Sequence, residues 1–310
     1  MKNEKIWQYL KIYIPIIFGF ILITLIYLNI DANKVINIIN NGNFYLMLIG
    51  LLLAVMANIC SSLRWCIIAN TFGYKNLTNK NAVKLYFHGV MLNSIFPGGF
   101  IGGDAWRIMN LKKLQPDKKI ITGTVTIFVD RISGLWSLLI LSVIFALTLL
   151  PTIYNMKNYR LIAIFIILIS FLPVLFLLPG FDRCIPIKLN NIRCIAIIAI
   201  RKTIIFSFIS NILVISALFM CLLSVDVVIA YNWVGFLSAG IFLPALIPAS
   251  IGGFGVREVS MITFLYPLIP NKEALIAGSL VFGTLAVCQG VIVLLSSIAN
   301  RIFLYYNNEI

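Results

Sequence analysis

The chain has 310 residues, of which 61% are hydrophobic and only 11% charged. A soluble domain carries about 25% charged residues, so the polar side chains are too few to cover a water-exposed surface, and a soluble globular protein is excluded. The formal charge of +14, from 24 Lys and Arg against 10 Asp and Glu, is scattered over separate segments. It matches the Lys/Arg bias of cytoplasmic loops, adds an expected affinity for anionic lipid headgroups, and speaks against nucleic acid as a partner.

In chain order, apolar runs cover residues 12–30, 44–63, 134–150, 161–179, 203–225 and 274–299. Most approach the ~20 residues an α-helix needs to cross ~30 Å of hydrocarbon. The first run follows Lys2, Lys5 and Lys11, as a signal peptide would, but it exceeds the ~7–15 residues of a signal core and reads as a retained span. The barrel pattern of alternating apolar and polar residues is absent. The sequence predicts an all-α polytopic membrane bundle of about six to eight spans, forming a single transmembrane domain over residues 1–310.

Charge sorts the connections. Residues 31–43 carry Asp31 and Lys34 and suit the outside, whereas 64–84, 104–119 and 179–202 are rich in Lys and Arg and suit the cytoplasm. Both termini are then cytoplasmic, in a plasma membrane. The apolar segment 85–103 lies between two cytoplasmic segments and ends in PGGFIGG, so it must enter and leave on one side. A re-entrant hairpin satisfies this, and irregular backbone at membrane depth requires surrounding protein or a water-filled cavity. Such a cavity is expected along residues 93–107.

Residues 101–108 read IGGDAWRI and residues 251–258 read IGGFGVRE, each preceded by a proline, Pro97 and Pro248. The two copies lie half a chain apart and predict half-repeats of about 44–150 and 203–300. If they enter from opposite faces they form an inverted repeat, an arrangement that builds a midplane site in many secondary transporters. Kinks in tightly packed helices would explain the glycines as well, but not the arginine that follows each motif.

Four ordered motifs carry a family resemblance: Arg64-Trp65, NSIFPGGFIGGDAWRI (93–108), DRISGLW (130–136) and PASIGGFGVREVS (248–260). Together they resemble the transmembrane region of the lysylphosphatidylglycerol synthase and flippase-like superfamily. In bifunctional members that region precedes a soluble domain that aminoacylates lipid; here Ile310 follows soon after the last apolar run, so the resemblance implies the flippase-like part alone. It implies translocation of a phospholipid or lipid-linked saccharide, with no cofactor. The alternative is a membrane-embedded transferase or an accessory subunit in glycolipid or cell-envelope synthesis.

Ionisable residues at bilayer depth cost about 2.5–3.5 kcal/mol on insertion scales and normally face a cavity or a partner. The candidate headgroup-binding set is Arg107, Arg131, Arg257, Glu258, Asp104, Asn93 and Arg64, because guanidinium groups hold phosphate oxygens in bidentate fashion. Asp104 and Arg107 are spaced to pair on one helix, and Arg64 and Arg131 could instead snorkel to the interface. The helix breaks are assigned to Gly98, Gly99, Gly102, Gly103, Gly252, Gly253 and Gly255. His88, the one histidine, is expected to pack through hydrogen bonds, Asp226 to sit at a solvated boundary, and Trp65, Trp106 and Trp136 to anchor the interfaces. The six cysteines form no CxxC pair, so neither a metal site nor a disulfide framework is expected. No nucleophile–base pair stands out, and no catalytic residue is assigned.

Overall fold

The computed structural model describes residues 30–95, 101–177, 187–246 and 253–307. The predicted first span at 12–30 and the break glycines Gly98, Gly99 and Gly252 lie outside the described residues. Helices dominate: α1 (Ala32–Asn40), α2 (Phe44–Thr71), α3 (Asn79–Ile95), α4 (Ile101–Leu114), α5 (Ile120–Thr148), α6 (Leu150–Asn155), α7 (Lys157–Leu177), α8 (Ile187–Ser224), α9 (Tyr231–Phe242), α10 (Val256–Leu265) and α11 (Lys272–Asn307). Four of the described helices hold segments long and apolar enough to cross a membrane, at Phe44–Thr71, Ile120–Thr148, Asn191–Ser224 and Lys272–Ala299. The protein is a helical membrane bundle.

Polarity is arranged accordingly. Leu52, Phe128, Phe165 and Leu295 are exposed on the outside, while Arg64, Arg107, Asp130, Arg257 and Glu258 are buried within. Without a hydrophobic drive between helices in lipid, close backbone approach at small residues replaces it. Gly50 on α2 packs against Ala217 and Cys221 of α8, and Gly290 on α11 lies against Met91 of α3.

The helix lengths follow a recurring order. Each half runs long, short, short, long: α2–α3–α4–α5, then α8–α9–α10–α11. Shifting Phe44–Thr71 by the 150 residues that separate the two motifs gives 194–221, inside α8. The same shift takes Asn79–Ile95 onto α9, Ile101–Leu114 onto α10 and Ile120–Thr148 onto α11. The basic segment before 203 is helical from Ile187 onward. The short helices, at 17, 14, 12 and 10 residues, span about 15–26 Å each and fall short of the hydrocarbon thickness. α2 and α8 pack along one another at the centre.

Other connections also differ from expectation. Residues 104–119, read as a loop, are helical through Leu114, because Lys112 and Lys113 occupy the last turn of α4, where cations oppose the negative end of the helix dipole. Lys112 Nζ also donates to Lys118 O at 2.9 Å. Trp65 is fully buried rather than interfacial. Asp226 is exposed, as expected, and has a φ of 59° at the turn after α8.

The two arms flanking the first glycine motif meet where both lack side chains. Asn93 Oδ1 accepts from Gly103 N at 2.7 Å, and a Cβ on Gly103 would lie 2.3 Å from Gly89 O. Gly103→Ala must therefore push α3 from α4, and overpacking of this kind costs about 1–3 kcal/mol. The expected result is a lower thermal midpoint in lipid nanodiscs. An unchanged midpoint would mean the arms are not in close contact.

Candidate functional site: an arginine-lined central cavity

Asp130 is placed by α5 at the bundle centre, 2% exposed. Its carboxylate is shared: Arg64 Nε donates to Oδ1 at 2.8 Å and Arg107 Nη1 to Oδ2 at 3.4 Å. Arg107 continues the chain, with Nη2 donating to Asp104 Oδ1 at 2.6 Å, and Arg131 Nη2 closes on Asp104 at 2.9 and 3.1 Å. Arg107 and Asp104 are three residues apart on α4, the expected pairing. Asp130 and Arg131, as neighbours on α5, point to different partners, also as expected. Among the described residues this network joins three guanidinium groups to two carboxylates.

The second glycine motif builds a smaller network. Gly253 and Gly255 adopt φ of 83° and 87°, a conformation glycine reaches at little cost, and this turns the chain directly into α10. Glu258 then occupies the third helical position and accepts from Gly255 N, as the acid of a capping box does. Its Oε1 also accepts from Arg257 Nη2 at 3.1 Å and Ser279 Oγ at 2.6 Å, while Arg257 Nε donates to Ser279 Oγ at 3.0 Å.

The equivalent arginines are held alike. The Arg107 guanidinium lies 5.0 and 4.9 Å from the ring centres of Trp65 and Tyr86, and that of Arg257 lies 5.3 and 5.4 Å from those of Phe254 and Phe282. Cation–π contacts of this kind suit a desolvated cation. A Cβ on Gly283 would stand 2.4 Å from Arg257 Nη2, so α11 is bare where the guanidinium passes.

Arg107, Arg131 and Arg257 all reach one cavity of about 300 Å³, together with Asn93. At ~30 Å³ per water, the space holds roughly ten waters or a hydrated headgroup of modest size. All eight helices of the two halves contribute to its wall. Asp104 and Glu258 stand behind the arginines rather than on the wall. Arg64 also lies off the cavity; it is neither snorkelling nor a wall residue, because Gly134 leaves room for its guanidinium against α5. Gly102 and Gly103, assigned to a helix break, lie in the first turn of α4.

Sequence reasoning missed the wall opposite the arginines. Asn58 Nδ2 on α2 donates to Gln289 Oε1 on α11 at 2.7 Å, and both residues line the cavity. A lone amide within each apolar run was the available signal. Tyr86, Ser94 and Ser279 were missed too. His88, by contrast, packs as expected, its ring nitrogens lying 2.7 Å from Lys84 O and 3.1 Å from Ser297 Oγ.

Comparison with known proteins agrees with this architecture. The family model described as the lysylphosphatidylglycerol synthase TM region matches residues 12–292. A UPF0104 membrane protein of Methanocaldococcus jannaschii is 30% identical over 115 residues, 37% of this chain and 33% of that protein, so the match spans a third of the relative's length. Since the family match takes in both glycine motifs and every residue named on the cavity wall, the chain belongs to the lysylphosphatidylglycerol synthase transmembrane-region family.

Proposed function

We propose that this protein translocates an anionic amphiphile, a phospholipid or a lipid-linked saccharide, whose phosphate passes through the central cavity while its tails remain in the bilayer. The observation that carries the reading is the convergence of Arg107, Arg131 and Arg257 from three helices on one cavity. A phosphate there receives charge-assisted, bidentate bonds at a depth where bulk water screens poorly. The amide pair of Asn58 and Gln289 offers further donors and acceptors to a polar headgroup. In the same reading the glycine motifs are re-entrant breaks of opposite sense in a plasma-membrane protein with both termini cytoplasmic. Membrane lipids bearing phosphate are the partners.

Two experiments test this. In proteoliposomes of defined lipid, the purified protein should accelerate the exchange of phosphatidylglycerol carrying a headgroup-proximal fluorophore, read by membrane-impermeant quenching. Rates equal to those of protein-free liposomes across a panel of anionic and glycosylated lipids would remove the translocase reading. For topology, single cysteines at Lys113 and Asn41, in a background lacking the native six, should react with impermeant reagent from opposite faces. Reaction of both from one face would overturn the orientation.

A further inference from the structure

A second recess lies beside the cavity on the outer face of the bundle. It is walled by Ala105 and Ile108 of α4 and by Thr124 and Phe128 of α5, and one end is closed by the Asp104–Arg131 pair. Its volume is about 300 Å³. The Thr124 hydroxyl already donates to Ile120 O at 3.2 Å, so the walls offer a ligand no free hydrogen-bond donor except at the charged end. The surroundings are apolar and outward-facing, with Met109, Ile120, Ile121 and Phe128 all exposed. Arg131 lies eleven residues into α5 from Ile120, about 16 Å along the helix, near half the hydrocarbon thickness.

Arg131 lines both the recess and the cavity. One molecule can therefore have an apolar part in the recess and an anion on the cavity side of the same guanidinium. We propose that the recess is a lateral tail groove, holding one hydrocarbon chain of an anionic lipid whose phosphate rests on Arg131, with the Asp104–Arg131 ion pair as the latch between groove and cavity. The occupant follows from charge and continuity: a chain without an anionic head has no partner at the closed end, and a free headgroup has no use for the apolar walls. Asp104 keeps Arg107 as a partner at 2.6 Å, so the carboxylate can give up Arg131 to an arriving phosphate without being left unpaired. This inference rests on the cavity being the headgroup path and adds where the tail lies and which contact opens.

The test uses phosphatidylglycerol with a photoreactive diazirine in one acyl chain, and a diacylglycerol with the same chain as control. Each is presented to the full-length protein in vesicles of digalactosyldiacylglycerol, which contain no other phosphate. Adducts on 104–108 and 124–131 are counted relative to those on the exposed Phe165 and Leu168 of α7. Phosphatidylglycerol should be enriched over diacylglycerol by about tenfold, the worth of one charge-assisted contact. Arg131→Gln should remove the enrichment, and Thr124→Trp, which fills the groove from its exposed rim, should remove the adducts themselves. Equal labelling by the two probes would make the groove ordinary lipid-facing surface and overturn the proposal. Absence of adducts from either probe would mean that another segment, such as residues 12–30, covers it, and would overturn it equally. Selective labelling with unimpaired transport in Arg257 variants would keep the groove and remove the headgroup path; lost transport with unselective labelling would do the reverse.

Discussion

The double variant Arg257→Ala/Glu258→Gln is expected to slow headgroup translocation by about 10- to 150-fold, the loss of charge-assisted bonds worth ~1.5–3 kcal/mol. It should keep a thermal midpoint near that of the wild type. The pairing of substitutions matters because Arg257 and Glu258 are both buried and bonded to each other and to Ser279. Removing the arginine alone leaves a buried carboxylate unpaired, a cost of about 3–5 kcal/mol, and would confuse loss of fold with loss of function. Arg257→Lys should recover part of the rate, since an ammonium keeps the charge but lacks the planar fork that sits between Phe254 and Phe282. Wild-type transport in the double variant, measured at equal incorporation, would make Arg257 a structural residue and detach the proposed function from its central side chain.

Asp130→Asn should be the most destabilising single change in the bundle, by about 3–5 kcal/mol, although Asp130 does not line the central cavity. The carboxylate neutralises guanidinium groups from two helices, Arg64 on α2 and Arg107 on α4. Without it Arg64 loses its carboxylate partner, and Arg107 keeps only Asp104. Adding Arg64→Met to Asp130→Asn removes the guanidinium that the lost carboxylate neutralised and should recover much of the loss, a coupling expected of residues in one network. Thermal unfolding of the two variants in nanodiscs decides the matter. Equal midpoints for single and double variants would show that Arg64 and Asp130 do not act as a pair.

Much of this arrangement was legible in the sequence because lipid makes composition informative. The runs at 44–63, 134–150, 203–225 and 274–299 fall in α2, α5, α8 and α11, and each motif's arginine did reach the cavity. An arginine beside a helix break in an apolar chain has few other places to go. What the sequence hid depended on which helices lie side by side. Arg64 looked like an interfacial cation because its partner Asp130 is 66 residues away, and nothing local marks the pair. Trp65 looked like an interface anchor for the same reason, since the Arg107 guanidinium that covers it comes from α4. The amides of Asn58 and Gln289 pair across 231 residues. Helix boundaries failed at 104–119 and 179–202, where basic residues were taken for loops although Lys and Arg are good helix formers.

The Arg64–Asp130 pair also constrains the order of events at the ribosome. The chain is made from its N-terminus at roughly 5–20 residues per second. α2 is thus complete several seconds before the carboxylate that its arginine needs has been synthesised. During that interval Arg64, near the C-terminal end of α2, can be satisfied only by reaching toward the headgroups. The buried pair forms only once α5 is in place. A nascent chain that stops before Asp130 therefore lacks the carboxylate that lets Arg64 leave the headgroups for the bundle interior.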